Sequence, residues 1–216
     1  MLKQAFDASL HAAEPGPESK LIAAQKKALR AQTRKQRKAL TPLQQKQASR
    51  NLLKQLNRSQ LLLSHKHIAL YLGNDGELNP EYFMAQLWAR KKKLYLPVIH
   101  PLAKQQLCFC AFNKNTRLRR NHFGIKEPDF RRTKRLGRQF LSLVMLPLVA
   151  FDNAGNRMGM GGGFYDRSFA YKHKRPKVKP KLIGLAHDFQ AQPALPTEEW
   201  DVPLQGILTD SRYYRF

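Results

Sequence analysis

Apolar positions recur at helical spacing from Leu21 to Leu40, and a second helical pattern runs on to about Leu63. Between them Thr41, Pro42 and Gln44 supply an N-cap, an N1 proline and an N3 glutamine, so the second helix opens at this point. After this pair the pattern alternates. HIALYL reads as a strand, PEYFMAQLWARK as a helix, and KLYLPVI and LCFCAF as strands. FLSLVMLPLVAF is a long apolar run of the kind found in a strand covered on both faces. FYDRSFAYKH then reads as a helix, KLIGLAH as a strand and PLQGILTD as a last short strand.

This order predicts an α/β fold: a single compact domain with a mostly parallel central sheet flanked by helices, preceded by an N-terminal helical pair. The 216 residues, 42% of them apolar, are enough for one substantial core. Residues 1–19 are expected to form a flexible N-terminal extension, because Pro15, Gly16 and Pro17 break any periodicity, and the domain is expected to span 20–216. The first twenty residues have neither an apolar h-region nor a cleavage signal, and no apolar run approaches the ~18 residues of a membrane span. A cytoplasmic location and no membrane partner are the expectation. Cys108 and Cys110, two apart in a strand, share a face and are expected as buried free thiols.

Charge changes the picture. Lys+Arg 39 against Asp+Glu 15 gives a formal +24, which calls for an anionic partner without naming it. Lys114 to Arg138 carries ten basic residues and KHKRPKVKPK six, both poorly periodic and read as solvated loops or as polyanion-capturing segments. Neither interleaves aromatic residues as a single-strand stacking surface would. On the first helix Lys26, Arg30 and Arg34 stand at i, i+4 and i+8, a cationic stripe that an anion would relieve.

The chemistry concentrates in RMGMGGGFYDR, residues 157–167. A P-loop needs Gly-Lys-Ser/Thr, which is absent, and the G-x-G-x-x-G fingerprint fails because Phe164 stands in the third glycine's place. What remains is a backbone cradle: Gly159, Gly161, Gly162 and Gly163 permit positive φ and leave N–H groups uncovered for phosphate oxygens. The helix that follows adds its positive end, Arg157 and Arg167 flank the loop with guanidinium forks, and Asp166 offers a magnesium ligand. A glycine-rich turn joining strand to helix is the plainer alternative.

With LPLVAFDNAGN before it, this stretch resembles the signature of the 5-formyltetrahydrofolate cyclo-ligase family, roughly P-x-x-x-F-D-x-x-G-x-R-x-G-x-G-x-G-[FY]-Y-D. Pro147, Phe151, Asp152, Gly155, Arg157, Gly159, Gly161, Gly163, Phe164, Tyr165 and Asp166 meet its fixed positions. Companion matches are Lys26 and Arg30, Tyr71 and Leu72 with Gly76 and Glu77, Gly124 with Glu127 and Pro128, and LPTEEWDVPL. The resemblance implies an ATP- and Mg²⁺-dependent ligase that converts 5-formyltetrahydrofolate, free or polyglutamylated, to 5,10-methenyltetrahydrofolate, acting as a monomer or weak dimer.

By position, the resemblance gives the triphosphate to Lys26, Arg30, Arg157, Met158, Gly159, Met160, Gly161, Gly162, Gly163, Phe164 and Tyr165. Arg157 and Tyr165 are the residues assigned to catalysis, Leu72, Glu77 and Phe164 to the folate, and Asp166 and Asp201 to magnesium. Gly162 and Met160 depart from members that carry lysine and arginine there. The competing readings are a nucleic-acid-binding protein on an enzyme-like scaffold, or another ATP-binding enzyme of related fold. Nucleic acid is not required by the leading reading, though the charge allows non-specific binding.

Overall fold

The computed structural model describes residues 17–216; most of the expected N-terminal extension lies outside the described residues. Helix α1 (Pro17–Ala39) is followed by α2 (Pro42–Arg58), and the Thr41 capping box forms as expected: its hydroxyl accepts from Gln44 N, while the Gln44 side chain accepts from Thr41 N. Helix α2 stops at Arg58, short of Leu63. Gln60 takes φ 58, a left-handed turn that swings Leu61 and Leu62 into the core.

The sheet has eight strands. In chain order these are β1 (His67–Ala69), β2 (Lys93–Ile99), β3 (Leu107–Phe112), β6 (Arg135–Leu136), β7 (Leu143–Pro147), β10 (Lys181–Ala186), β11 (Gly206–Thr209) and β12 (Tyr213–Arg215). Their spatial order is β12-β11-β10-β7-β1-β2-β3-β6, in which β11, β10, β7, β1 and β2 run parallel while β12, β3 and β6 pair antiparallel at the margins. Helix α3 (Glu81–Ala89) connects β1 to β2.

Strand β7 is central and fully apolar for a physical reason. Its odd positions, Leu143 and Met145, pack with Leu52 and Leu56 of α2 and Phe83 and Leu87 of α3; its even positions, Val144 and Leu146, pack with Phe169, Val202 and Leu204 on the opposite face. The long apolar run is not one strand, however. After Pro147 the chain turns and resumes as β8 (Ala150–Phe151), which pairs with β9 (Arg157–Met158) outside the main sheet.

Three further expectations are corrected. The basic segment after Lys114 holds a hairpin, β4 (Leu118–Arg120) and β5 (Lys126–Pro128), whose turn is organised by the Asn121 carboxamide accepting from Phe123 N and Ile125 N. The expected FYDRSFAYKH helix is α4 (Phe164–Phe169) followed by a single 3₁₀ turn, so its dipole is that of less than two full turns. Cys108 and Cys110 are both free thiols, but only Cys110 is buried, and burial pushes that thiol up to about 11.

Candidate active site

One cavity of about 1100 Å³ opens between the face of α1, the β9–α4 loop and the β4–β5 hairpin. All the site residues assigned from the sequence line it: Lys26, Arg30, Leu72, Glu77, the continuous stretch Arg157 to Asp166, and Asp201. Residues more than a hundred positions apart are thus brought to one place.

The cationic stripe of α1 crosses the mouth, and the protein itself supplies its counter-groups. Lys26 Nζ lies 3.4 Å from Glu198 Oε1 and 3.6 Å from Asp201 Oδ2. Arg30 Nε donates to Gly159 O at 2.9 Å, tying the helix to the glycine loop. Arg34 forks onto Asp75 at 2.7 and 3.1 Å. The repulsion along the stripe is therefore relieved without a ligand. Lys26 and Arg30 nevertheless line the same cavity as the glycine loop.

The loop is bent as its glycines allow. Gly161 takes φ 98 and Gly163 φ 63, conformations that a Cβ would strain. Gly162 is different: its φ is ordinary, but an added Cβ would stand 2.7 Å from Phe164 Cε2. The two flanking arginines do not both face the cavity as free forks. Arg167 turns back to donate to Gly162 O at 2.8 Å. Arg157, its side chain only 5% exposed, donates to Asp166 Oδ1 at 2.6 Å and to Val202 O, so it braces the loop's entry against its exit and against the segment after Asp201.

Asp166 and Asp201 can be tested as magnesium ligands on their donor sets. Among the described residues no group of three or more His, Cys, Asp or Glu side chains gathers as a metal cage. Magnesium held with a nucleotide needs less: one or two carboxylates, substrate phosphates and water. Both bonds to Asp166 go to Oδ1, and both contacts of Asp201 go to Oδ2, so each keeps its other oxygen for a cation. The donor set of each carboxylate is compatible with magnesium on that count.

At the other end the cavity turns apolar and acidic. Tyr71, Leu72 and Tyr165 surround Glu77, whose Oε2 accepts from Asn74 N at 3.2 Å and whose Oε1 lies 4.0 Å from Arg37 Nη1. Its side chain is 14% exposed, and burial pushes its carboxyl up to about 7 against the opposing pull of Arg37. Burial, with the Glu77 charge nearby, also keeps the Tyr165 hydroxyl protonated far above its ordinary range. Phe123 at the hairpin tip meets Phe164 edge-on, ring centres 6.2 Å apart at 85°.

Sequence reasoning missed several lining residues. Asn121, Phe123 and Glu127 lay in a segment read as solvated loop, although Gly124, Glu127 and Pro128 already stood out as part of the resemblance. Asp75, three residues past Leu72 and between two assigned positions, carried no separate signal. Arg37, which stands behind the cavity wall rather than in it, did not belong to the stripe and looked like one more surface cation; it is 1% exposed.

The family model for the 5-formyltetrahydrofolate cyclo-ligase family matches residues 22–210. The chain belongs to that family. A 5-formyltetrahydrofolate cyclo-ligase from Haemophilus influenzae is 41% identical over 180 residues, covering 83% of this chain and 95% of the relative. The enzyme of the same name from Escherichia coli K12 is 38% identical, covering 85% and 99%. The solved 5,10-methenyltetrahydrofolate synthetase of Aquifex aeolicus superposes with a TM-score of 0.73 at 27% identity, covering 88% of this chain and 92% of that one. Membership places this chain among the ligases of folate one-carbon metabolism. The cyclo-ligase architecture, an α/β domain around a mostly parallel sheet, is the one its sequence predicted. Among the described residues no helix is long and apolar enough to cross a membrane.

Proposed function

We propose that this cyclo-ligase joins ATP hydrolysis to ring closure of 5-formyltetrahydrofolate, yielding 5,10-methenyltetrahydrofolate, ADP and phosphate. The observation that carries the reading is the polarity of one cavity: it is lined both by cations and bare glycine backbone and by a buried carboxylate with apolar and aromatic neighbours.

A formamide oxygen is a poor leaving group. In the proposed sequence it takes the γ-phosphoryl of ATP, N10 of the folate attacks the activated carbon and gives up its proton, and phosphate departs in the oxygen's place. Such a transfer asks the protein mainly for in-line placement and charge neutralisation. Lys26 and Arg30 supply charge from α1, and the loop from Arg157 to Gly163 supplies N–H groups. Arg157 holds that loop to Asp166, so its contribution to catalysis is the loop's shape as much as its own charge. Asp166 and Asp201 would hold magnesium, which would neutralise the phosphate oxygens when bound. Glu77, in its ionised form, would accept from the amino and ring N–H groups of the pterin, while Leu72 and Phe164 would cover its faces and Tyr165 offers a protonated hydroxyl in the same cavity.

The test is formation of the methenyl chromophore from 5-formyltetrahydrofolate, followed with and without ATP and with and without Mg²⁺. Product that requires both is expected. Absence of any ATP-dependent product overturns the assignment.

A further inference from the structure

The turn that carries Glu77 is held by an unusual number of distant groups, and most of them lead to one side chain. Gly76 takes φ 71, and a Cβ there would come within 2.9 Å of the Arg37 carbonyl, so the turn lies directly on the end of α1. The Gly76 carbonyl accepts from Gln45 Nε2 of α2 at 3.1 Å and bonds His187 Nε2, past the end of β10, at 3.2 Å. Gln45 Nε2 also donates to Arg37 O at 3.2 Å.

Arg37 occupies the centre of this mounting. Its guanidinium donates to Asp75 Oδ2 at 2.8 Å and to Leu148 O at 3.4 Å, and stands 4.0 Å from Glu77 Oε1. It reaches the residues on both sides of Gly76 and the chain after β7 together, while its Nε is buried with no partner among the described residues. A buried guanidinium left partly unsatisfied is costly unless its charge is used. The charges it faces are Asp75, bonded at 2.8 Å, and at 4.0 Å Glu77, the carboxylate assigned to the folate.

We infer that Arg37 is a positioning residue for the folate end of the site: it fixes the Asp75–Gly76–Glu77 turn and sets a positive charge 4.0 Å from the Glu77 carboxylate, opposing the effect of burial on that group. Asp75 is the second half of the device. It draws on Arg34, Arg37 and Lys38 and lies well below the usual carboxylate range, so it remains charged and anchors the guanidinium. The groups facing Glu77 are Arg37 from α1, Asp75 and Tyr71 from its own segment, and Tyr165 from α4. Arg37 is the cation among them. Its removal leaves burial and the Asp75 charge, which favour the protonated acid, opposed only by the Asn74 N–H bond.

The inference rests on the placement of Glu77 at the folate end, and the first experiment is independent of that placement. The side-chain carboxyl of Glu77, labelled with ¹³C, is titrated by NMR in the unliganded protein and in Arg37→Gln and Arg37→Lys, with circular dichroism and thermal melting confirming the fold. A midpoint raised by about one pH unit or more in Arg37→Gln, and largely restored in Arg37→Lys, is expected. An unmoved midpoint overturns the inference, whatever the activity does. The second experiment is kinetic. In Arg37→Gln the acid limb of kcat/KM for 5-formyltetrahydrofolate should move to higher pH, with about a tenfold loss of rate at a fixed acid pH for every pH unit the limb moves, and with the KM for ATP changed far less. In a Glu77→Gln background the same substitution should have little further effect on folate use; fully additive losses overturn the inference. If Arg37→Gln does not fold, Asp75→Asn serves in the titration: loss of the anchor should raise the Glu77 midpoint even though removal of the Asp75 charge alone would lower it, and a lowered or unmoved midpoint overturns the inference.

Discussion

Arg157 Nη2 meets Asp166 Oδ1 at 2.6 Å, joining the residue that opens the glycine loop to the one that leaves it. The loop is therefore a closed ring of chain, braced by an ion pair with little access to water, and the Arg157 guanidinium also reaches Val202 O. Removing one member of such a pair leaves the other uncompensated.

Arg157→Ala should accordingly do two things at once. It should lower stability by about 3 kcal/mol, the usual cost of breaking a buried pair, and raise the apparent KM for ATP. Arg157→Lys keeps charge but loses the fork, so it should recover only part of either. Thermal melting run beside ATP kinetics checks both. A melting temperature unchanged by Arg157→Ala would remove the brace.

Gly162→Lys adds a charge to the glycine loop, but its Cβ would meet the Phe164 ring at 2.7 Å. The ring is the end of a mobile side chain, and it must swing away. The KM for folate should therefore rise severalfold while that for ATP stays level or falls. A variant that improves ATP use with folate KM unaltered would show that Phe164 does not need its present place.

The Glu77 carboxyl, raised from 4.5 to about 7, has a defined pH signature. An acid whose folded pKa is raised binds its proton more tightly in the native state, so its stabilising effect is full below 4.5 and is lost as pH rises towards 7. Glu77→Gln cannot titrate. Relative to the parent, it should gain in melting temperature between about pH 5 and about pH 8, and a constant difference across that range would contradict the burial of the charge.

Lys172 is buried, and its ammonium donates to Pro176 O, Val178 O and Pro180 O at 3.0, 2.7 and 2.9 Å. It gathers the chain from 172 to 180 around one charge. Lys172→Met leaves three carbonyls without that donor and should cost roughly 2–4 kcal/mol. Limited proteolysis should then cut within this basic segment before any other.

The sequence made some of this plain and hid the rest for reasons that can be named. The start of α2 was legible because a capping box is local: Thr41, Pro42 and Gln44 interact within one turn. The glycine loop was legible because its composition is rare. Its wiring was not, since the bond from Arg157 to Val202 spans 45 residues and depends on how α4 packs. The β4–β5 hairpin was hidden by its own surface. Leu118, Arg119 and Arg120 are all exposed, so no alternation marks a strand, and the pairing is set by the Asn121 turn instead. Arg37 was invisible for a related reason: in a chain with 39 basic residues, a buried one has no distinguishing neighbour in sequence.

Lys26 and its partner Glu198 are 172 positions apart, yet they close the same mouth. During synthesis the first helix must wait for nearly the whole domain before it has a site to complete. A chain released before Glu198 would hold Lys26 without its partner, so the catalytic cavity is a late product of folding and a test of completeness. A ligand that binds there would report finished molecules only.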